Sequence, residues 1–331
     1  MGATSWWGRL QQAVHPADRT VLVLLALALV VALVRWPAVG AALTPLVVVQ
    51  SVLLIGFLAC AIALARWECG GWVVYARPVA TVAVVFTLYT FLGKLGVVAM
   101  PYLADAALAR ADRTLFGFDP SLALQPLQTP GRVEFFSFIY STFIPYINLS
   151  LFLGCLGRRP LERDQFLTGW VFTYVISYLG YIFLPAHGPV VYEAGRYTVA
   201  LHGGFFYDTV VRGNELTGGL QGAFPSLHVG GSVYLCLFDL RTNRLRGLTY
   251  LPIVLLIYGA TLFLRYHYVV DLIAGTAIAV ACNPLGERVF LAWARDRQAA
   301  GRPALPGGEG DDLSVLSAPG SSGAALVLPS R

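Results

Sequence analysis

The chain has 331 residues, 57% of them hydrophobic and only 12% charged, with a mean hydropathy of +0.67. Soluble domains run nearer half apolar and a quarter charged, so this composition excludes an ordinary soluble protein and indicates a polytopic membrane protein. The net charge of +5 rests almost wholly on arginine, Lys94 being the one lysine; such an excess is read against the membrane, and no nucleic-acid partner is expected.

Crossing a bilayer takes about 20 apolar residues, and eight stretches qualify, at 20–36, 44–66, 73–100, 134–157, 166–185, 226–240, 248–265 and 268–292. They predict an all-α fold, a polytopic transmembrane helical bundle of about eight spans. The first is short and follows Arg9 and Arg19, so a signal peptide is its rival reading. Placing the N-terminus inside puts Arg66, Arg77, Arg158, Arg159, Arg163, Arg241, Arg244, Arg246 and the arginines beyond residue 285 on that same side. This positive-inside bias predicts cytoplasmic termini. The expected plan is a cytoplasmic segment at 1–19, a transmembrane catalytic domain at 20–295 and a disordered cytoplasmic tail at 296–331, rich in Gly, Ser and Asp. Arg77-Pro78 falls on the inner side.

Two outer segments are too polar to span. In 101–131, Leu103, Ala107, Leu108, Leu115 and Phe116 interleave with Asp105, Arg110, Asp112 and Arg113. That pattern suits an amphipathic helix lying at headgroup level over a site, and equally an ordered connector. The second, 186–223, is rich in Gly and aromatics and is expected to form a lid or re-entrant wall of a cavity. The five cysteines are scattered, with no CxxC spacing that would suggest a metal site or a disulfide framework.

The chemistry concentrates in two runs. Phe224-Pro225-Ser226-Leu227-His228 opens an apolar helix, with Pro expected in its first turn and Ser as its cap. The open N–H groups and dipole of such a start favour an anion. In Arg265-Tyr266-His267-Tyr268-Val269-Val270-Asp271, the His and Asp stand at i and i+4, on one helix face. The carboxylate can orient the imidazole and leave its other nitrogen basic. Ionisable groups at membrane depth are costly and usually functional. A nucleophile (His267), its orienting Asp271 and a second imidazole (His228) make an enzyme's inventory. A structural His–Asp pair between helices, a two-His one-Asp metal site and a proton-relaying transporter are the competing readings; the transporter lacks visible inverted repeats.

FPSLH followed by HYVVDLIAG resembles the last two motifs of the type-2 phosphatidic acid phosphatase superfamily. The resemblance implies a six-helix catalytic core in which His267 is the nucleophile, Asp271 charges it and His228 protonates the leaving group, with no metal or other cofactor and with membrane lipids as substrates. The chain departs from the phosphatase pattern. Gly70 stands where a Lys is expected before Arg77-Pro78, Leu227 replaces a Gly, and Thr261 replaces an Arg six residues before His267. In these departures, and in the runs FLPAHGP and DRTLFGFDP, the chain is similar to the inositol phosphorylceramide synthase and sphingolipid synthase branch, which moves phospho-headgroups between lipids. Phosphate binding would then fall to Ser226, Arg265, His187, Arg196 and Arg212. The expected protein is a multi-pass enzyme of the inner (plasma) membrane with its site on the outer or periplasmic side, a phosphotransferase or, alternatively, a lipid phosphate phosphatase.

Overall fold

The computed structural model describes residues 13–66, 73–156, 158–216 and 219–305, and these form helices without a strand. The order is α1 (Pro16–Val39), α2 (Thr44–Arg66), α3 (Val73–Ala99), α4 (Asp105–Phe116), the single turn α5 (Pro120–Ala123), α6 (Pro130–Ser141), α7 (Phe143–Leu156) and α8 (Pro160–Phe183). The single turn α9 (Pro189–Tyr192), α10 (Phe205–Leu216), α11 (Leu227–Thr242), α12 (Arg244–Phe263) and α13 (Val269–Ala299) follow. Residues 1–12 and 306–331, with most of the expected tail, lie outside the described set, as does Gly70.

Among the described residues, six helical stretches are long and apolar enough to cross a membrane. One of them, Pro16–Ala65, is 50 residues long, far beyond a single crossing of about 20. A 3-10 turn at Gly40–Leu43 breaks it into α1 and α2, which pack on each other. Apolar side chains such as Val23, Val52, Ile55, Ile144 and Leu255 point outward, each more than half exposed. Water does not tolerate so continuous an apolar girdle, whereas lipid does, and the protein is membrane-embedded.

Three elements depart from the sequence pattern. The expected span at 134–157 begins earlier and is two helices, α6 and α7, parted at Thr142. Pro145 has no N–H to continue the ladder there. The expected span at 226–240 forms α11 with only 16 residues, which is not among the six long stretches, although it runs from the His228 end of the bundle to the Asp239 end. The last helix runs on to Ala299, because its polar C-terminal turns remain helical beyond the apolar stretch.

The central helix is α8, with 72% of its apolar stretch buried against 22–39% for the other five. Its Thr168, Thr173 and Ser177 donate to carbonyls four residues back, which satisfies hydroxyls that have no water to turn to. The two ends of the bundle are tied separately. At one end Asp18 of α1 pairs with Arg77 of α3 at 3.0 Å, both buried, and Asp239 of α11 takes Arg158 and Arg246. At the other end, Arg35 donates to the Ala99 carbonyl at 2.6 Å. This second end carries His228 and His267.

The α11–α13 crossing positions those histidines. A Cβ on Gly275 would stand 2.4 Å from the Ser226 carbonyl oxygen, and one on Gly230 would stand 3.1 Å from the Gly275 oxygen. Only glycine lets the two backbones approach so closely. Gly275→Ala is therefore expected to lower the detergent-solubilised protein's stability by about 1–3 kcal/mol, the usual cost of overpacking. A thermal melt indistinguishable from wild type would contradict the close approach.

Candidate active site

Ser226 caps α11, its hydroxyl accepting from the Val229 N–H at 3.4 Å. Pro225 lies one residue before the cap, outside the first turn where the sequence pattern put it, because the helix proper starts at Leu227. The Ser226 N–H donates to the Asp271 carbonyl at 3.1 Å, stitching α11 to the start of α13. With Val229 served by the Ser226 hydroxyl and Gly230 by its carbonyl, the amides of Leu227 and His228 find no acceptor among the described residues.

His267 sits just before α13 and is buried. Its Nδ1 lies 2.8 Å from the Ala223 carbonyl and 3.3 Å from Asp271 Oδ2. Both partners are acceptors, so the proton belongs on Nδ1 and Nε2 keeps its lone pair. Asp271 Oδ2 also accepts the Tyr268 N–H at 2.9 Å, which fixes the carboxylate at the third position of the helix it belongs to. The His228 ring lies 5.9 Å from the His267 ring, centroid to centroid, at 62°. Tyr140 and Phe143 flank His228, each 4.3 Å away. The described structure therefore brings His228, Asp271 and His267 together.

Two carboxylates that the sequence reading left unassigned hold this arrangement. Asp112 of α4 accepts the Val269 and Val270 N–H groups at 2.8 and 2.9 Å, capping α13 from outside its own chain segment. Burial raises the pKa of that carboxyl, against the pull of the two amides. Asp105, one helical repeat earlier, accepts the His187 N–H at 3.1 Å, the Gly188 N–H at 2.9 Å and the Tyr268 hydroxyl at 3.2 Å. Gly188 needs its positive φ of 88°, and a Cβ there would meet the Tyr266 carbonyl at 2.4 Å. The segment at 101–131 thus forms a helix seated on the loops that carry His187 and His267. The readable signal was two aspartates seven residues apart, and so on one face of an amphipathic helix.

The segment at 186–223 contains a helix of its own, α10. Glu134 of α6 caps it, accepting from Gly204, Phe206 and Tyr207 at 2.7–3.1 Å.

The expected phosphate ligands fare unequally. His187 is half-buried; its Nδ1 lies 2.6 Å from the Leu220 carbonyl, which leaves Nε2 open. Arg265, at a φ of 65° unusual for a residue with a Cβ, donates to Gln128 Oε1 and to the Val199 carbonyl and lies 3.9 Å over the Tyr197 ring. Its guanidinium is engaged by the fold. Arg196 pairs with Asp119 at 2.5 Å and Glu193 at 2.8 Å, within a network that continues through Ser121 to Tyr197. Arg212 is exposed on α10, with no ion pair among the described residues. Arg77 is locked to Asp18 at the far end of the bundle. Among the described residues no three His, Cys, Asp or Glu side chains gather as a metal site.

Residues 106–285, more than half of the chain, match the family model described as the PAP2 superfamily. The chain belongs to that superfamily. It is also 30% identical over 151 residues to a PA-phosphatase related-family protein of Dictyostelium discoideum, an alignment covering 41% of this chain and 27% of that protein's length. No solved structure matches.

If Asp112 caps α13, Asp112→Ala should cost the local structure about 0.5–2 kcal/mol and speed amide exchange at Val269 and Val270, with Asp112→Asn intermediate. Exchange in a peptide spanning 266–272 reads this directly. Equal protection in all three proteins would remove Asp112 from the account.

Proposed function

We propose that this protein is an integral membrane phosphotransferase that moves a phosphoryl group or phospho-headgroup between lipids through a phosphohistidine. The observation carrying this reading is the state of His267. Both acceptors lie on Nδ1, so Nε2 is the nucleophilic nitrogen, with a second imidazole 5.9 Å away. Nε2 attacks phosphorus in line, Asp271 stabilises the imidazolium that develops, and His228 donates a proton to the departing oxygen. In the second half an acceptor hydroxyl gives its proton to His228 and attacks phosphorus as the P–N bond breaks.

The phosphate oxygens need donors. At the start of α13 the first amides are already taken by Asp112, whereas at the start of α11 those of Leu227 and His228 are open. The α11 end, capped by Ser226, is therefore the favoured cradle. Arg212 is the cation left to meet a headgroup from the water side; Arg265 and Arg196 hold the loops.

The missing phosphatase Lys and the Thr261 replacement favour a transferase of the sphingolipid synthase-like branch. We place it in the plasma membrane with eight passes, both termini cytoplasmic and the histidine end outward, following the arginine distribution. Hydrolysis is the second reading, favoured by the name of the Dictyostelium relative, a PA-phosphatase related-family protein. Water then replaces the lipid acceptor, and polyprenyl (pyro)phosphate or phosphatidate-type lipids are the substrates.

His267→Ala is expected to reduce turnover of a labelled lipid phosphate by about 10³-fold or more, and His228→Ala by about 10²–10⁴-fold. Wild-type protein quenched during turnover should retain acid-labile label on His267. Label recovered as a new lipid phosphate when a lipid alcohol is supplied indicates transfer. Label recovered only as free phosphate under the same conditions refutes transfer and leaves hydrolysis, and full turnover by His267→Ala refutes both.

A further inference from the structure

The two imidazoles are held by different means. His267 has the Ala223 carbonyl and Asp271 on its Nδ1. The His228 imidazole makes no hydrogen bond or ion pair with the protein among the described residues, and its ring neighbours besides His267 are aromatic. Tyr140 lies 4.3 Å from it, centroid to centroid, at 30°, and Phe143 lies 4.3 Å from it at 46°. Both fall well inside the ~6 Å within which a ring face attracts a cation.

The chain delivers these two rings at one place. Tyr140 is the penultimate residue of α6 and Phe143 the first of α7, on either side of the break at Thr142. The Thr142 N–H donates to the Phe138 carbonyl at 3.1 Å and its hydroxyl to the Ile139 carbonyl at 2.6 Å, which fixes the junction. Tyr140 in turn lies 5.0 Å from the ring of Tyr266, the buried residue before His267. Stacked rings thus tie His228 to the loop of its partner.

An acid must hold a proton before it can give one. A charged imidazole away from water is costly unless something offsets it, and no carboxylate does so here. The other neighbours of His228 face it across a cavity of about 490 Å³, whose described lining includes no Asp, Glu, Lys or Arg. Its titratable groups besides Tyr140 are Tyr89 of α3 and Tyr174 and Tyr178 of α8, phenols that are neutral near pH 7. The polar groups that α10 adds, Thr209 and Asn214, do not titrate, and the loop before α13 brings His267, which repels when charged.

We propose that Tyr140 and Phe143 are positioning residues, a two-ring clamp that orients the His228 imidazole and favours its positive charge, in place of a carboxylate such as the one serving His267. The inference rests on the assignment of His228 as proton donor. In the first half of the reaction the proton on His228 passes to the oxygen leaving phosphorus, and the imidazole becomes neutral. In the second half it takes the proton of the acceptor hydroxyl and is charged again. The clamp therefore favours the state in which each cycle starts and ends.

Isotope-labelled histidine in the full-length, detergent-solubilised protein lets NMR follow each imidazole, with His228 assigned by its loss in His228→Asn. Phe143→Leu and Tyr140→Leu keep apolar bulk but remove a ring face, and each should lower the His228 pKa by roughly half a pH unit to one. Tyr140→Phe keeps the face and should leave that pKa in place. Fluorination guards against misfolding: mono-, di- and trifluorophenylalanine at Phe143 preserve its shape while draining the ring face of negative charge, so the His228 pKa should fall stepwise. With dioctanoyl phosphatidate as substrate, the alkaline limb of kcat/KM, which reports loss of the acid's proton, should move to lower pH in the same order. An unmoved His228 titration in both leucine variants and along the fluorinated series would overturn the clamp and leave the phosphohistidine intact. Full turnover by His228→Ala would instead defeat the acid assignment beneath it. The titration needs no turnover, so the two failures are distinguishable.

Discussion

The approach of α11 to α13 is the constraint on which the site depends. Two glycines, Gly230 and Gly275, let backbone meet backbone, and the Ser226 N–H donates to the Asp271 carbonyl across the junction. Side chains on two helices converge when the helices cross near the start of each, as here. His228 is the second residue of α11 and His267 lies just before α13, so the crossing brings their rings within 5.9 Å. A wider interhelical distance would leave the same motif residues in place without a common substrate between them.

Around that crossing, carboxylates act as fasteners. Asp112 closes the N-terminus of α13, Asp105 clamps the loop at His187 and Gly188, and Glu134 closes the N-terminus of α10. Each satisfies backbone amides; those held by Asp105 and Asp112 would otherwise lie at least partly buried and unpaired, at a cost of about 1–3 kcal/mol. The consequence for chemistry is an unequal pair of helix ends. One is filled by Asp112, and the other, at Leu227 and His228, keeps amides with no acceptor among the described residues. Arginine follows the same economy: Arg265, Arg196 and Arg77 all have protein partners, and the first two brace loops around the histidines.

A cavity beside His228 is walled by helices scattered over the chain, α3 through α11, and its lining is largely aromatic and uncharged. Ion pairs of the bundle gather elsewhere, around Asp18, Asp239 and Asp119.

Local pattern by itself determined a good deal. Composition and apolar runs established a membrane protein made of helices, since a backbone in lipid must satisfy its own polar groups. The sequence pointed to the pairing of His267 with Asp271, but for a different reason from the one it suggested: His267 lies just before α13 instead of on its face, and Asp271, at the third position of the helix, reaches back over the cap to it. Tertiary structure decided the rest. That Asp105 and Asp112 hold the loops at His187 and Tyr268 from 82 to 163 residues away, and that Arg265 is occupied by Gln128 and Val199, are long-range contacts with no short-range period to betray them. A charged residue in an amphipathic helix reads the same whether it faces water or a buried row of amides, and only the packing of one segment on another distinguishes the two.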